Sequence, residues 1–221
     1  MFLKVAHNEG ISAEIPYLCG METTYRMAAE WEPQWGIQLT WPHAATDWEP
    51  MLAEIDATYV EMAREIARRE RLLVATPEAG RVGKLLQGAL GDELMAQVTF
   101  VGCATDDTWA RDHGFLTLVP ADGQGGNRLL DFAFNGWGEK FPAAHDNAIN
   151  GHLREAGVPV GTYEAHLDFV LEGGSIESDG RGTLFTTSQC LLAPPSQPAL
   201  DASRHRAATV PAIACPPRGV A

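Results

Sequence analysis

Thr105-Asp106-Asp107-Thr108-Trp109-Ala110-Arg111-Asp112-His113-Gly114 sets three carboxylates, an arginine and a tryptophan between two apolar runs. Upstream lies Val98-Thr99-Phe100-Val101 and downstream Phe115-Leu116-Thr117-Leu118-Val119, both rich in strand-forming residues. Acids crowded between strands are costly to bury unless a cation or hydrogen bonds compensate them. One reading is a solvated loop in which Arg111 pairs locally with an aspartate. The other is a strand-end carboxylate that grips a cationic substrate, with Trp109 as a flat wall beside it.

On the N-terminal side, Ile37-Gln38-Leu39-Thr40-Trp41 is an extended segment closed by Pro42. Thr46 or Asp47 caps a following helix, with Glu49 completing a capping box. Met51, Ile55, Tyr59, Met62 and Ile66 follow at helical spacing and mark its buried stripe. Leu72-Leu73-Val74-Ala75 reads as a buried strand. A second helix spans Ala79 to Leu90, with Val82, Leu85, Leu86 and Ala89 inward. Alternation of strand and helix makes the chain α/β.

On the C-terminal side the pattern becomes hairpins. Phe115 to Val119 and Leu129 to Phe134 flank Asp122-Gly123-Gln124-Gly125-Gly126-Asn127, a turn signal. A helix from Ala144 to Ala156 stops at Gly157. Leu167 to Leu171 is a strand ending at Glu172, before a hairpin around Asp179-Gly180-Arg181-Gly182. Asp112 and Glu172 thus hold matching places, each ahead of a hairpin, as in architectures built from repeated units.

The formal net charge of -13 argues against nucleic acid and anionic membrane as partners. No apolar run reaches the ~18 residues of a membrane span, and Met1-Phe2-Leu3-Lys4 leads into polar sequence without a secretory signal. A cytoplasmic protein is expected. Cys19, Cys103, Cys190 and Cys215 contain no C-x-x-C pair, so neither structural zinc nor a disulfide framework is expected. Cys190 reads as a small packed apolar residue. His43, His113, His145 and His152 lack metal-ligand spacing and read as surface or hydrogen-bonded residues.

The opening stretch resembles the agmatine deiminase branch of the guanidine-modifying enzymes, which also includes bacterial-type peptidylarginine deiminases. The likeness continues in Ala29-Glu30-Trp31-Glu32-Pro33-Gln34 with Thr40-Trp41-Pro42-His43, in Phe134-Asn135-Gly136-Trp137-Gly138-Glu139-Lys140, and in Leu171-Glu172-Gly173-Gly174-Ser175-Ile176. It implies an incomplete five-bladed α/β propeller of pentein type, with acids of successive blades facing one axis. It also implies hydrolysis of agmatine to N-carbamoylputrescine and ammonia, in polyamine synthesis. A cysteine thiolate attacks the guanidinium carbon, ammonia leaves, and histidine-activated water hydrolyses the thiouronium. No metal or organic cofactor takes part. By resemblance Asp112 and Glu172 are catalytic, Asp112 as guanidinium clamp and Glu172 as the acid that orients the histidine. Trp109, Asn135 and Trp137 join Asp112 as substrate-binding residues.

The reading divides the chain into a poorly determined leader (1–24), the N-terminal part of a deiminase domain (25–192) and a disordered non-family tail (193–221). The family's later His-x-Asp pair and Gly-rich cysteine segment are not found in their places, so the chain reads as an inactive N-terminal fragment. Such a part-propeller would associate with itself or with a chain that completes it. His166-Leu167-Asp168 mimics the His-x-Asp pair at the wrong place in the order. Three alternatives stay open: a peptidylarginine or other arginine-type deiminase, a non-catalytic cation binder, and a metal-dependent hydrolase using Asp106, Asp107 and Asp112.

Overall fold

The structure is a computed structural model that describes residues 2–6 (as backbone), 25–187 and 190. The described chain divides into two compact units. The first holds 2–6, 25–32, 111–141 and 160–187; the second holds 33–110 and 142–159. One boundary falls between Ala110 and Arg111, inside the acidic stretch.

The second unit is built on three parallel strands, β3 (Gly36–Thr40), β4 (Arg71–Thr76) and β5 (Val98–Gly102), in the order β3-β4-β5. Parallel neighbours need crossovers, which are α1 (Leu52–Ala67) and α2 (Ala79–Met95). Central β4 is buried at every position after Arg71, so it reads as an unbroken apolar run. Leu39, Trp41, Val60, Ala63, Leu72, Val74, Val82 and Leu86 form the core.

The helices differ from expectation in three details, one being that Leu85 of α2, expected inward, is exposed. In α1 the buried face is Val60, Ala63 and Ala67, while Met51 and Met62 are exposed. The small alanines fit against the core, and the long methionines lie off that face. Thr46 donates to the His43 carbonyl at 2.8 Å instead of capping, and a 3-10 turn at Glu49–Met51 starts the helix. In α2 the regular helix breaks at Gly91, whose φ of 73° is left-handed, next to the expected end at Leu90. Helix α5 (Ala144–Glu155) also belongs to this unit, with Asp146, Ile149, Asn150 and Leu153 buried.

The first unit holds two sheets. One has the order β2-β6-β7-β8, from Tyr25–Met27, Leu116–Pro120, Arg128–Ala133 and Thr162–Val170. Strands β6 and β7 are the expected antiparallel hairpin, and β8 runs parallel to β7. The other has the order β1-β10-β9, from Phe2–Ala6, Thr183–Thr187 and Glu177–Ser178. Here too an antiparallel hairpin carries a parallel third strand, β1 against β10. Strand β1 therefore lies within the expected leader; 7–24 and the whole tail 193–221 lie outside the described residues. Met27, Leu116, Leu118, Leu130, Phe132, Leu171, Ile176 and Leu184 share one core.

The β7–β8 ladder slips after Phe132, which pairs with His166, whereas Ala133 pairs with Val170. The intervening Leu167 and Asp168 are exposed, and His166 stacks on Phe132 at 5.0 Å. This bulge separates the His-x-Asp look-alike and returns β8 to the ladder just before Glu172. Between α2 and β6, Ala110–His113 forms a single helical turn, α3. Among the described residues, no helix is long and apolar enough to cross a membrane.

Candidate active site

The site in the first unit begins with backbone contacts. Gly174 N–H donates to Asp112 Oδ1 at 3.1 Å, which ties the Glu-Gly-Gly segment to α3. A Cβ at Gly173 would lie 2.2 Å from the Arg111 carbonyl oxygen, and one at Gly174 would lie 2.2 Å from Asp112 Oδ1. Only glycine permits this approach. Glu172, the residue before these glycines, is thereby kept near enough for the charge of Asp112 to act on it.

Two carboxylates of like charge now lie close together, both half-buried. Burial pushes the Asp112 carboxyl above its ordinary range, opposed by the Gly174 N–H, the Trp137 indole N–H and nearby Arg111. Burial also raises Glu172, helped by the negative charge of Asp112 and opposed by Lys140 and the Trp137 backbone N–H. Arg111 is engaged elsewhere, with Glu30 at 2.9 Å and the Ile176 carbonyl at 3.1 Å, and not with an aspartate of its own stretch.

Trp137 owes its place to an unusual segment, α4 (Gly136–Glu139). Its four residues have φ of 64°, 57°, 82° and 62°, a single left-handed turn. Glu139 N–H donates to the Asn135 carbonyl at 2.8 Å and Lys140 N–H to that of Gly136 at 3.1 Å. Left-handed geometry costs roughly 1–2 kcal/mol for each non-glycine residue, here Trp137 and Glu139. Asn135 Oδ1 stabilises the turn by accepting Gly138 N–H at 2.9 Å. A Cβ at Gly136 would meet the Phe141 carbonyl oxygen at 2.2 Å, so the first position must be glycine. Backbone strain of this kind persists where surrounding structure enforces it, and it gathers at functional sites.

The remaining sequence-selected residues have other partners. Trp109 lies in the second unit, where its indole N–H donates to Asp107 Oδ2 at 2.9 Å. Asp106 accepts from His145 N–H at 2.7 Å and contacts His145 Nδ1 at 2.7 Å. Asp107 Oδ1 accepts Thr108 N–H at 2.7 Å. These two acids therefore do structural work within their own unit. Among the described residues, no group of three His, Cys, Asp or Glu side chains could hold a metal ion.

Asp146 was missed by sequence reading, because an acid in a first helical turn is ordinary. It is buried, and its Oδ1 accepts Asp106 N–H at 2.8 Å and Asp107 N–H at 3.4 Å. Burial pushes it up to about 6. His43 is buried with Nε2 2.9 Å from Thr105 Oγ1, and buried His113 is pushed down to about 4 by desolvation. Cys103 is buried, and its thiol is raised by that burial. Cys190 is exposed, contrary to its expected packing, with Thr187 Oγ1 3.1 Å from its sulfur.

A pair of opposed acids behind glycine turns, in a mixed α/β chain, fits a guanidine-modifying deiminase. The chain belongs to the Porphyromonas-type peptidyl-arginine deiminase family, whose profile matches residues 26–209. That match runs past Leu192, where the motif likeness ends. A Selenomonas ruminantium protein, provisionally named an agmatine deiminase, is 33% identical over 189 residues, covering 80% of this chain and 47% of its own length. The chain thus spans about half the length of the curated relatives it matches. A substrate-bound cysteine-to-serine variant of C. jejuni agmatine deiminase superposes with a TM-score of 0.72 at 31% identity, covering 86% of this chain and 53% of that one. A Porphyromonas gingivalis protein, provisionally named an arginine deiminase, gives 0.70 at 44% identity, covering 81% and 51%.

Proposed function

We propose that the first unit carries the guanidinium-gripping half of a deiminase site, with Asp112 and Glu172 as its acids and agmatine as its substrate. The observation behind this is the pair itself: two half-buried carboxylates raised by burial, one further raised by the other, in a family of deiminases. A guanidinium is planar, permanently charged and offers donors in a fixed fork, so opposed carboxylates are its natural clamp. Binding it relieves the repulsion and withdraws electron density from the central carbon.

The reaction is agmatine plus water to N-carbamoylputrescine plus ammonia. A thiolate forms a bond to the guanidinium carbon, the C–N bond to ammonia breaks, and water then displaces the thiol from the thiouronium. By resemblance, Glu172 orients the histidine that activates this water, and Asn135 helps hold the substrate. We read the sheets as part of a five-bladed propeller. Neither described cysteine carries this thiol: Cys103 is buried in the second unit, and Cys190 is exposed against Thr187. The thiol and histidine are contributed by a complementing chain, and the described residues supply the binding acids. The 221-residue chain binds its substrate and does not turn it over.

Calorimetry of the purified chain with agmatine tests the binding half, with putrescine and an arginine peptide as comparators. Micromolar agmatine binding with weak putrescine binding supports the reading, and equal affinity for putrescine overturns the guanidinium assignment. Ammonia release at ordinary enzyme rates would overturn the claim of inactivity. Preference for the arginine peptide would move the substrate to the peptidyl class.

A further inference from the structure

The Trp137 indole is held between two aromatic rings. Phe134 lies at 5.2 Å and 84°, and Phe141 at 5.6 Å and 89°, both edge-to-face. Its backbone is equally constrained by the left-handed turn, the Asn135 cap and the close passage of Gly136 past Phe141. This doubly fixed residue bonds both acids: its indole N–H donates to Asp112 and its backbone N–H to Glu172. A ring that only walled a ligand would need neither bond, and still less a strained backbone.

We infer that Trp137 is a positioning residue that fixes the separation and orientation of the Asp112 and Glu172 carboxylates for a planar, multi-donor cation. The acids come from distant segments and repel each other, and Gly174 N–H holds only Asp112. Trp137 is the donor common to both. Its indole acts on Asp112 and its main chain on Glu172, so the two bonds can be separated by substitution. The ligand class rests on the function proposed above; the carboxylate lock does not.

Trp137→Phe keeps the ring between Phe134 and Phe141 and keeps the backbone N–H, removing the indole N–H alone. Carboxyl NMR titration of the purified chain should show the Asp112 midpoint moving to higher pH, with Glu172 little changed. Other charged groups near the pair are Arg111, held by Glu30 and Glu177, and Lys140; neighbouring His113 is uncharged near neutrality. Agmatine affinity near neutral pH should fall about tenfold, the worth of one hydrogen bond to a charged group, with the denaturation midpoint nearly unchanged. In the unmodified chain, the Trp137 indole N–H resonance should titrate with the Asp112 midpoint, which decides the matter even if the variant misfolds. An unchanged Asp112 midpoint in the variant, or an indole resonance that ignores Asp112, overturns the inference. Failure of the unmodified chain to bind agmatine would overturn the proposed function alone.

Discussion

Two groups of acids drawn from one ten-residue stretch have met opposite fates. In the second unit Asp106 and Asp107 are saturated: His145, Trp109 and main-chain N–H groups take their oxygens, and Asp146 binds their own N–H groups. In the first unit Asp112 is close to another acid, with Lys140 acting on Glu172 and Arg111 paired with Glu30. Acids with complete local partners hold a loop in shape. An acid opposed by an acid is destabilised until a cation arrives, and that cost is the signature of a binding site.

The largest contrast should come from removing one charge in each group. Asp112→Asn relieves the repulsion with Glu172, so the denaturation midpoint should hold or rise, while agmatine binding weakens at least about thirtyfold through loss of a charge-paired hydrogen bond. Asp146→Ala should do the reverse. It leaves two main-chain N–H groups without their acceptor and opens a small void, costing about 2–4 kcal/mol in urea denaturation. If Asp112→Asn instead destabilises the chain as Asp146→Ala does, the distinction between the groups fails.

Acidity sharpens the same comparison. Folding raises Asp146 from its ordinary 3.8 to about 6, so its protonated form is the one the fold prefers. Its contribution is fully present below about 4 and is lost as pH rises through 6, amounting to about 3 kcal/mol at most. Asp146→Asn should flatten that slope. Agmatine binding runs the other way: it needs ionised Asp112 and Glu172, so affinity should grow as pH rises through their raised midpoints.

The strands and helices were legible because their periodicity is local. β3, β4, β5 and α5 stand where apolar runs and glycine stops put them. The α1 stripe was legible in part: Tyr59 and Ile66 pack on the core and Met51 and Met62 do not, while Ala63 and Ala67 are buried for being small, which periodicity of large apolar side chains does not mark. Asp112 and Glu172 were legible as types, and the structure brings them together. What holds them was not legible. Gly-Trp-Gly advertises permissive backbone, but a left-handed turn depends on Asn135 and Phe141 packing around it, a tertiary condition. Asp146 was hidden for the same reason: its partners lie far away in sequence.

The smallest expected effect isolates spacing from charge. Gly174→Ala changes no charge, and Gly174 is exposed, so ordinary packing predicts little change in stability. Its added Cβ would nevertheless sit 2.2 Å from Asp112 Oδ1, and the carboxylate is the more movable partner. Asp112 must rotate away, loosening the 3.1 Å bond from Gly174 N–H and widening the gap to Glu172. Agmatine affinity should fall about three- to tenfold, roughly 0.6–1.4 kcal/mol, with melting changed by no more than a few degrees. Affinity equal to the unmodified chain would mean that Asp112 tolerates displacement. The acids of the first unit would then act by charge alone, and the tight glycine turn would be a matter of packing.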